Sequence, residues 1–166
     1  MNSELSALAA LLLYPRHQLI SDLSRINHIL QSSKHISAQA KEILRAFISA
    51  MSSAPLNTLQ SVYLASFEDE NKLTLADREQ KSIEALKRLE ELYSKHGQKF
   101  EPSDVPDFLP AILEFLSTLS FSEALTWIKV AKPVFEDMDR KLLNISSPWL
   151  AVSTTLLSID EEGIAA

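Results

Sequence analysis

The sequence predicts an all-α fold, a single-domain bundle of about seven to eight helices, and three observations carry that prediction. Apolar residues recur at helical spacing along nearly the whole chain. Only 2 of the 166 residues are glycine, too few for a turn-dense β fold. Leu, Ala, Ser, Glu and Lys dominate, a composition that favours helices. With 46% hydrophobic and 23% charged residues the chain is not of the disordered class, and at this length one core can bury about 70% of the surface an extended chain exposes. The expected domain runs over 1–158, and 159–166 reads as a frayed acidic tail.

The elements follow in order. Leu5, Leu8, Ala9 and Leu12 form the first apolar stripe, which Pro15 ends by disfavouring helix at Tyr14. Leu19, Leu23, Ile26 and Leu30 form the second, up to the polar break QSSKH. Ser37 is the expected N-cap of a third helix with a broad apolar face of Ala40, Ile43, Leu44, Phe47, Ile48 and Met51. Pro55 opens the fourth, with Leu56, Leu59, Tyr63 and Phe67 on one side. Residues 67–76 lack a helical period and read as a loop, the expected mobile element. Asp77 to Gln80 resembles a capping box for a fifth helix that buries Ile83, Leu86, Leu89 and Tyr93. Outside, Glu84 pairs with Arg88 and Lys87 with Glu91, and Lys95, His96 and Gly97 mark the stop. A helix from about 122 to 143 must kink or split at Pro133, and Ser146-Ser147-Pro148 opens the last one. No strand and no internal repeat is expected.

Several function classes fall away. Cysteine is absent, which excludes disulfides, thiolate metal sites, iron–sulfur ligation and a cysteine nucleophile, and suits a reducing compartment, most simply the cytoplasm. The start MNSELSALAALLLYP carries Glu4 where a signal peptide has cations, so it reads as a core helix. No stretch approaches the roughly 18 apolar residues of a membrane span, and no stable membrane insertion is expected. A net charge of −6 with scattered Lys and Arg argues against nucleic acid and suits a cationic partner. His17, His28, His35 and His96 show no metal-ligand spacing, and neither Glu68-Asp69-Glu70 nor Asp137 with Asp139 lies in an apolar setting that would raise a pKa, so solvated charge is the expectation there. No phosphate loop, H-E-x-x-H or nucleophile elbow is present, Trp127 and Trp149 read as core, and no cofactor is expected.

Residues 105–116, VPDFLPAILEFL, put two prolines at the door of the most apolar segment. If Asp107 caps a sixth helix, Pro110 falls at its third position, where the N–H has no intrahelical acceptor and the proline costs little. Phe108, Ile112, Phe115, Leu116 and Leu119 then cover one face and Leu109 and Leu113 another. A narrow strip of Asp107, Ala111, Glu114 and Thr118 remains, with its two carboxylates about 10 Å apart along the axis. Two acids beside an apolar wall suit a peptide with basic and apolar residues; the plainer reading makes Asp107 a cap and Glu114 a solvated acid.

The segment VPDFLPAILEFLS resembles the signature of the NarJ-type chaperones, the delta subunits of respiratory nitrate reductase, within the wider TorD/DmsD family of redox-enzyme maturation proteins. LLLYP, SVYLASFE at 61–68, LEELYSKHG at 89–97 and SSPWLAV at 146–152 fall in family order around it, so the resemblance spans nearly the whole chain. It implies an all-helical assembly chaperone without catalytic activity or cofactor. Its partner would be the N-terminal segment of a molybdoenzyme catalytic subunit, held back from membrane attachment and kept competent for molybdenum cofactor insertion. By the same resemblance Tyr63 and Phe67 match a Y-x-x-x-F element, and Pro106, Asp107 and Phe108 a Pro-Asp-aromatic element, of the peptide-binding region; Pro110 and Glu114 complete the signature. Tyr63 and Phe67 also lie one turn apart by spacing alone, which suits a helix-in-groove contact.

The chain departs from the family pattern at Glu68, where aspartate is usual, and at KLTLADREQ, 72–80, which resembles a shortened form of a longer stretch. The resemblance therefore leaves open whether the client is nitrate reductase or another molybdoenzyme. A structural helical subunit retained in the mature complex, and a small helical enzyme or cofactor carrier, are the other classes. A monomer and a domain-swapped dimer both suit such a bundle.

Overall fold

The computed structural model describes residues 2–101 and 104–160. Nine α-helices stand among them: α1 (Ser3–Leu11), α2 (His17–Gln31), α3 (Ala38–Ser53), α4 (Leu56–Phe67), α5 (Ile83–Lys95), α6 (Leu109–Ser117), α7 (Phe121–Val130), α8 (Lys132–Asn144) and α9 (Leu150–Ser158). The all-α fold is as predicted, with one helix more than the expected upper count. Two short 3-10 turns, Asp69–Asn71 and Leu75–Ser82, join α4 to α5.

Local chemistry explains most boundaries. Ser37 Oγ accepts the Ala40 N–H at 3.1 Å and starts α3 as the sequence predicts. Ser120 does the same for α7 with the Glu123 N–H. At the end of α5, Gly97 takes φ 85° and the Gln98 N–H closes on the Tyr93 carbonyl at 2.8 Å. The long helix expected over 122–143 is two helices. Its chain breaks at the fully buried Ala131, and Pro133 then sits in the first turn of α8, where its missing N–H has no intrahelical acceptor to lose.

Packing places α1 at the centre, against α6 on one side and α2 on the other, while α9 lies on α8 and α3, and α5 on α7. Leu5, Leu8, Leu11 and Leu12 are completely buried, so α1 is apolar nearly all round, as a core helix must be. Two buried tryptophans tie distant helices together. Trp149 donates its indole N–H to the Leu11 carbonyl at 2.8 Å and meets the rings of Phe47, Tyr63 and Phe67 edge-on. Trp127 donates to the Ala85 carbonyl at 2.9 Å, linking α7 to α5. Both belong to the core, as the sequence predicts.

Three expectations need correction. Asp77 does not cap α5: the helix begins at Ile83, and the Asp77 carboxylate instead accepts the Thr74 hydroxyl within the preceding 3-10 turn. With that start the buried stripe of α5 is Ala85, Leu89 and Tyr93, and Ile83 is 61% exposed. Ile43, assigned to the buried face of α3, lies at its exposed edge. Of the tail, Ile159 packs in the core and the Asp160 N–H donates to the His35 carbonyl; 161–166 lie outside the described residues.

Trp149→Ala removes the largest ring of the aromatic cluster and one indole donor. It is expected to lower unfolding free energy by about 3–5 kcal/mol, read as a fall in the denaturant midpoint.

Candidate functional site

Two concavities meet at one pair of aromatic residues. The larger, about 750 Å³, lies over α1 and α2, with apolar walls that include Ala7, Ala10, Leu13, Leu19 and Ile26, and it reaches Glu114 on α6. The smaller, about 400 Å³, is bounded by Phe67, Glu68, Asp69, Lys72, Leu73 and Thr74. Tyr63 and Phe108 line both and so form the ridge between them.

Tyr63 reaches this position because α4 packs its side chain against the end of α1. Its hydroxyl donates to the Leu12 carbonyl at 2.7 Å, and its ring stands edge-on to Tyr14 and Trp149. Burial pushes the phenol up to about 12, so it stays neutral at any physiological pH. Only 8% of Tyr63 is exposed, so it offers a ligand little surface. Phe67, one turn on and equally buried, lies tilted against Tyr63 and edge-on to Trp149, and of the two concavities it lines only the smaller. Phe108 differs from both: it is 39% exposed and lines both hollows.

Polar groups are spread along the larger concavity. Glu114 is exposed on α6 and accepts the Ser6 hydroxyl at 2.8 Å. Toward the α2 end, Arg25 pairs with Asp22, and Arg16 sits over the Tyr14 ring at 5.3 Å. Such a wall offers apolar surface together with carboxylates at Glu114 and Asp22 and guanidinium groups at Arg16 and Arg25, which can hold a peptide's apolar side chains and meet charged ones. None of Arg16, Asp22 and Arg25 carries a sequence motif; they are recognised only once α1 and α2 are folded against each other.

The remaining predicted residues lie elsewhere. Pro106 is half-buried, Pro110 is buried in the first turn of α6, and neither lines a concavity. Asp107 does not cap α6. Phe108, in extended backbone, holds the N-cap position without a side-chain bond, so helical register starts at Leu109 and Pro110 is at its second position. Ala111, Glu114 and Thr118 form the exposed strip as expected, but Asp107 turns away from it. Its carboxylate accepts the Ala76 N–H at 2.9 Å and its carbonyl accepts the Leu75 N–H at 2.9 Å.

The segment 67–76, expected as a mobile loop, is a packed strap. Leu73 and Leu75 are buried, Thr74 bridges to Phe108, and the Leu109 N–H donates to the Leu73 carbonyl. Its far end is held by an ion cluster that sequence reading placed in solvent. The Asp137 side chain is 2% exposed and is met by Arg78, Lys81, Arg140 and Lys141 at 2.7–3.3 Å. Buried Arg78 also donates to the Lys72 carbonyl at 2.7 Å. Burial acts to raise the Asp137 carboxyl, but hydrogen bonds from Arg78, Lys141 and Lys81 outweigh it and hold the group well below the usual carboxylate range. Arg140 and Lys141 follow Asp137 at three and four residues on α8, a visible signal; Arg78, 59 residues earlier, was not. Asp139 likewise accepts the Ser153 and Thr154 hydroxyls of α9.

Residues 23–154, most of this helical frame and both concavities' strap and ridge, match the nitrate reductase delta subunit family, and the chain belongs to it. Among curated proteins it is similar to the nitrate reductase molybdenum cofactor assembly chaperone NarJ of Escherichia coli strain K12 and to that of Escherichia coli O157:H7. Each is 23% identical over 171 residues, an alignment that covers 97% of this chain and 71% of the relative. The resemblance carried by VPDFLPAILEFLS is thus to the family that residues 23–154 match. No helix among the described residues is long and apolar enough to cross a membrane.

Asp137→Asn leaves a buried guanidinium without its counter-charge and is expected to cost about 3–5 kcal/mol in urea unfolding. The folded carboxyl titrates below the unfolded one, so its contribution is complete above about pH 4 and is lost as pH falls through the folded value. A wild-type protein that loses stability on acidification more steeply than Asp137→Asn is the expected observation.

Proposed function

We propose that this protein is a nitrate reductase assembly chaperone, acting in the cytoplasm without a catalytic step or resident cofactor, and that its larger concavity receives the N-terminal segment of the molybdenum-containing catalytic subunit. The single observation that carries the reading is that Tyr63, Phe108 and Glu114, three positions of the family's motifs, come together on one concave wall of about 750 Å³. Membership of the delta subunit family, and the assembly role in the names of the NarJ relatives, support the class of client.

An apolar trough with an acid on its rim suits an amphipathic segment whose apolar side chains lie against Ala7, Ala10 and Leu13 while a basic group meets Glu114. The protein shifts its client's populations through differential affinity. Tight binding of the cofactor-free, unattached subunit keeps that state populated, and a conformational change on cofactor insertion that withdraws the segment releases it.

Calorimetric titration of the full chain with the N-terminal peptide of the catalytic subunit tests this. Phe108→Ala is expected to weaken binding about tenfold, since it removes a half-exposed aromatic anchor. Glu114→Gln should weaken it less, about threefold, and flatten its salt dependence. A wild-type protein that does not bind the peptide, or binding indifferent to both substitutions, would overturn the reading.

A further inference from the structure

The Asp107 carboxylate sits within two residues of Phe108 and Leu109, yet it lines neither concavity. Among the described residues its polar contacts run to the strap. One carboxylate oxygen accepts the Ala76 N–H, its carbonyl accepts the Leu75 N–H, and the Leu109 N–H returns a bond to the Leu73 carbonyl. Phe108 lies between these bonds, bridged to Thr74. The strap's other end is fixed independently through Arg78 to Asp137. Asp69 precedes these anchors at φ 53° and Glu79 follows them at φ 52°; both are left-handed positions that strain a non-glycine residue. A segment with left-handed residues at each end keeps its place only where bonds along its length hold it.

We infer that Asp107 is a positioning residue: it clasps the 73–76 strap against the start of α6, which sets the Phe108 ring as the ridge between the two concavities, and it does not itself contact the client. This deepens the proposed function and rests on it for the client, but the clasp can be read without one. The chemistry it requires of residue 107 is a hydrogen-bond acceptor at that distance from the Ala76 N–H. A residue that bound basic groups of a client would instead require a negative charge.

Asparagine separates these roles, because its amide oxygen can accept the same bond without the charge. Asp107→Asn and Asp107→Ala are compared by peptide titration and by hydrogen exchange of the segment 72–78 in the free protein. Asp107→Ala is expected to weaken peptide binding about tenfold, the loss of a charge-assisted bond, and to speed exchange at 72–78 by a similar factor. Asp107→Asn should stay within about threefold of wild type in both, with an unchanged salt dependence of binding. Two variants equally weak in binding, or an Asp107→Ala protein with wild-type exchange at 72–78, would overturn the clasp. If Asp107→Ala does not fold, the Asp107→Asn titration still decides, since loss of binding there assigns the charge a direct role. A wild-type protein that fails to bind the peptide removes the proposed client, while the exchange measurement still tests the clasp.

Discussion

Pro15 has no N–H, so the Leu11 carbonyl four residues before it can have no ordinary helical partner at the end of α1. That orphan lies in the most deeply buried part of the molecule, where an unsatisfied carbonyl would cost about 1–3 kcal/mol. Trp149 fills it from the N-cap position of α9, and Tyr63 fills the neighbouring Leu12 carbonyl from α4. The Gln60 side chain adds a third link, donating to the Pro15 carbonyl itself. Two distant elements are therefore indexed to one helix end by three bonds, and the aromatic cluster of Phe47, Tyr63, Phe67 and Trp149 condenses around them. The place of Tyr63 at the ridge is a by-product of that requirement.

A second organising constraint is electrostatic and lies at the other side of the strap. One buried carboxylate gathers four cations, two from its own helix and two from the 3-10 stretch before α5. Such a cluster is a poor source of net stability compared with apolar packing, but removal of its centre leaves the buried Arg78 guanidinium without its counter-charge. Its effect is positional. Arg78 is drawn inward, takes the Lys72 carbonyl with it, and so commits a stretch without helical period to one path across the surface.

The sequence disclosed what depends on neighbours in the chain. Ser37 capped its own helix, Pro133 divided α7 from α8, and the apolar repeats of α1, α2 and α3 became the core, because periodicity and capping act over three or four residues. Motif resemblance points to Tyr63 and Phe108 and helical spacing to Glu114, and the fold brings all three to one wall. What stayed hidden depends on partners far along the chain. Asp107 looked like a cap because its own neighbours fit that role, and only the strap, 31 residues earlier, claims its carboxylate. Asp137 looked solvated because nothing local to it reports burial, and the KLTLADREQ stretch looked loose because its two buried leucines carry no helical period.

The bond between Trp149 and Leu11 joins residues 138 apart. As the chain leaves the ribosome, α1 emerges first, with leucines on every side and a carbonyl whose partner has yet to be synthesised. Until Trp149 is made, the end of α1 lacks the indole that fills its last carbonyl, and an apolar helix end in that state invites mispairing.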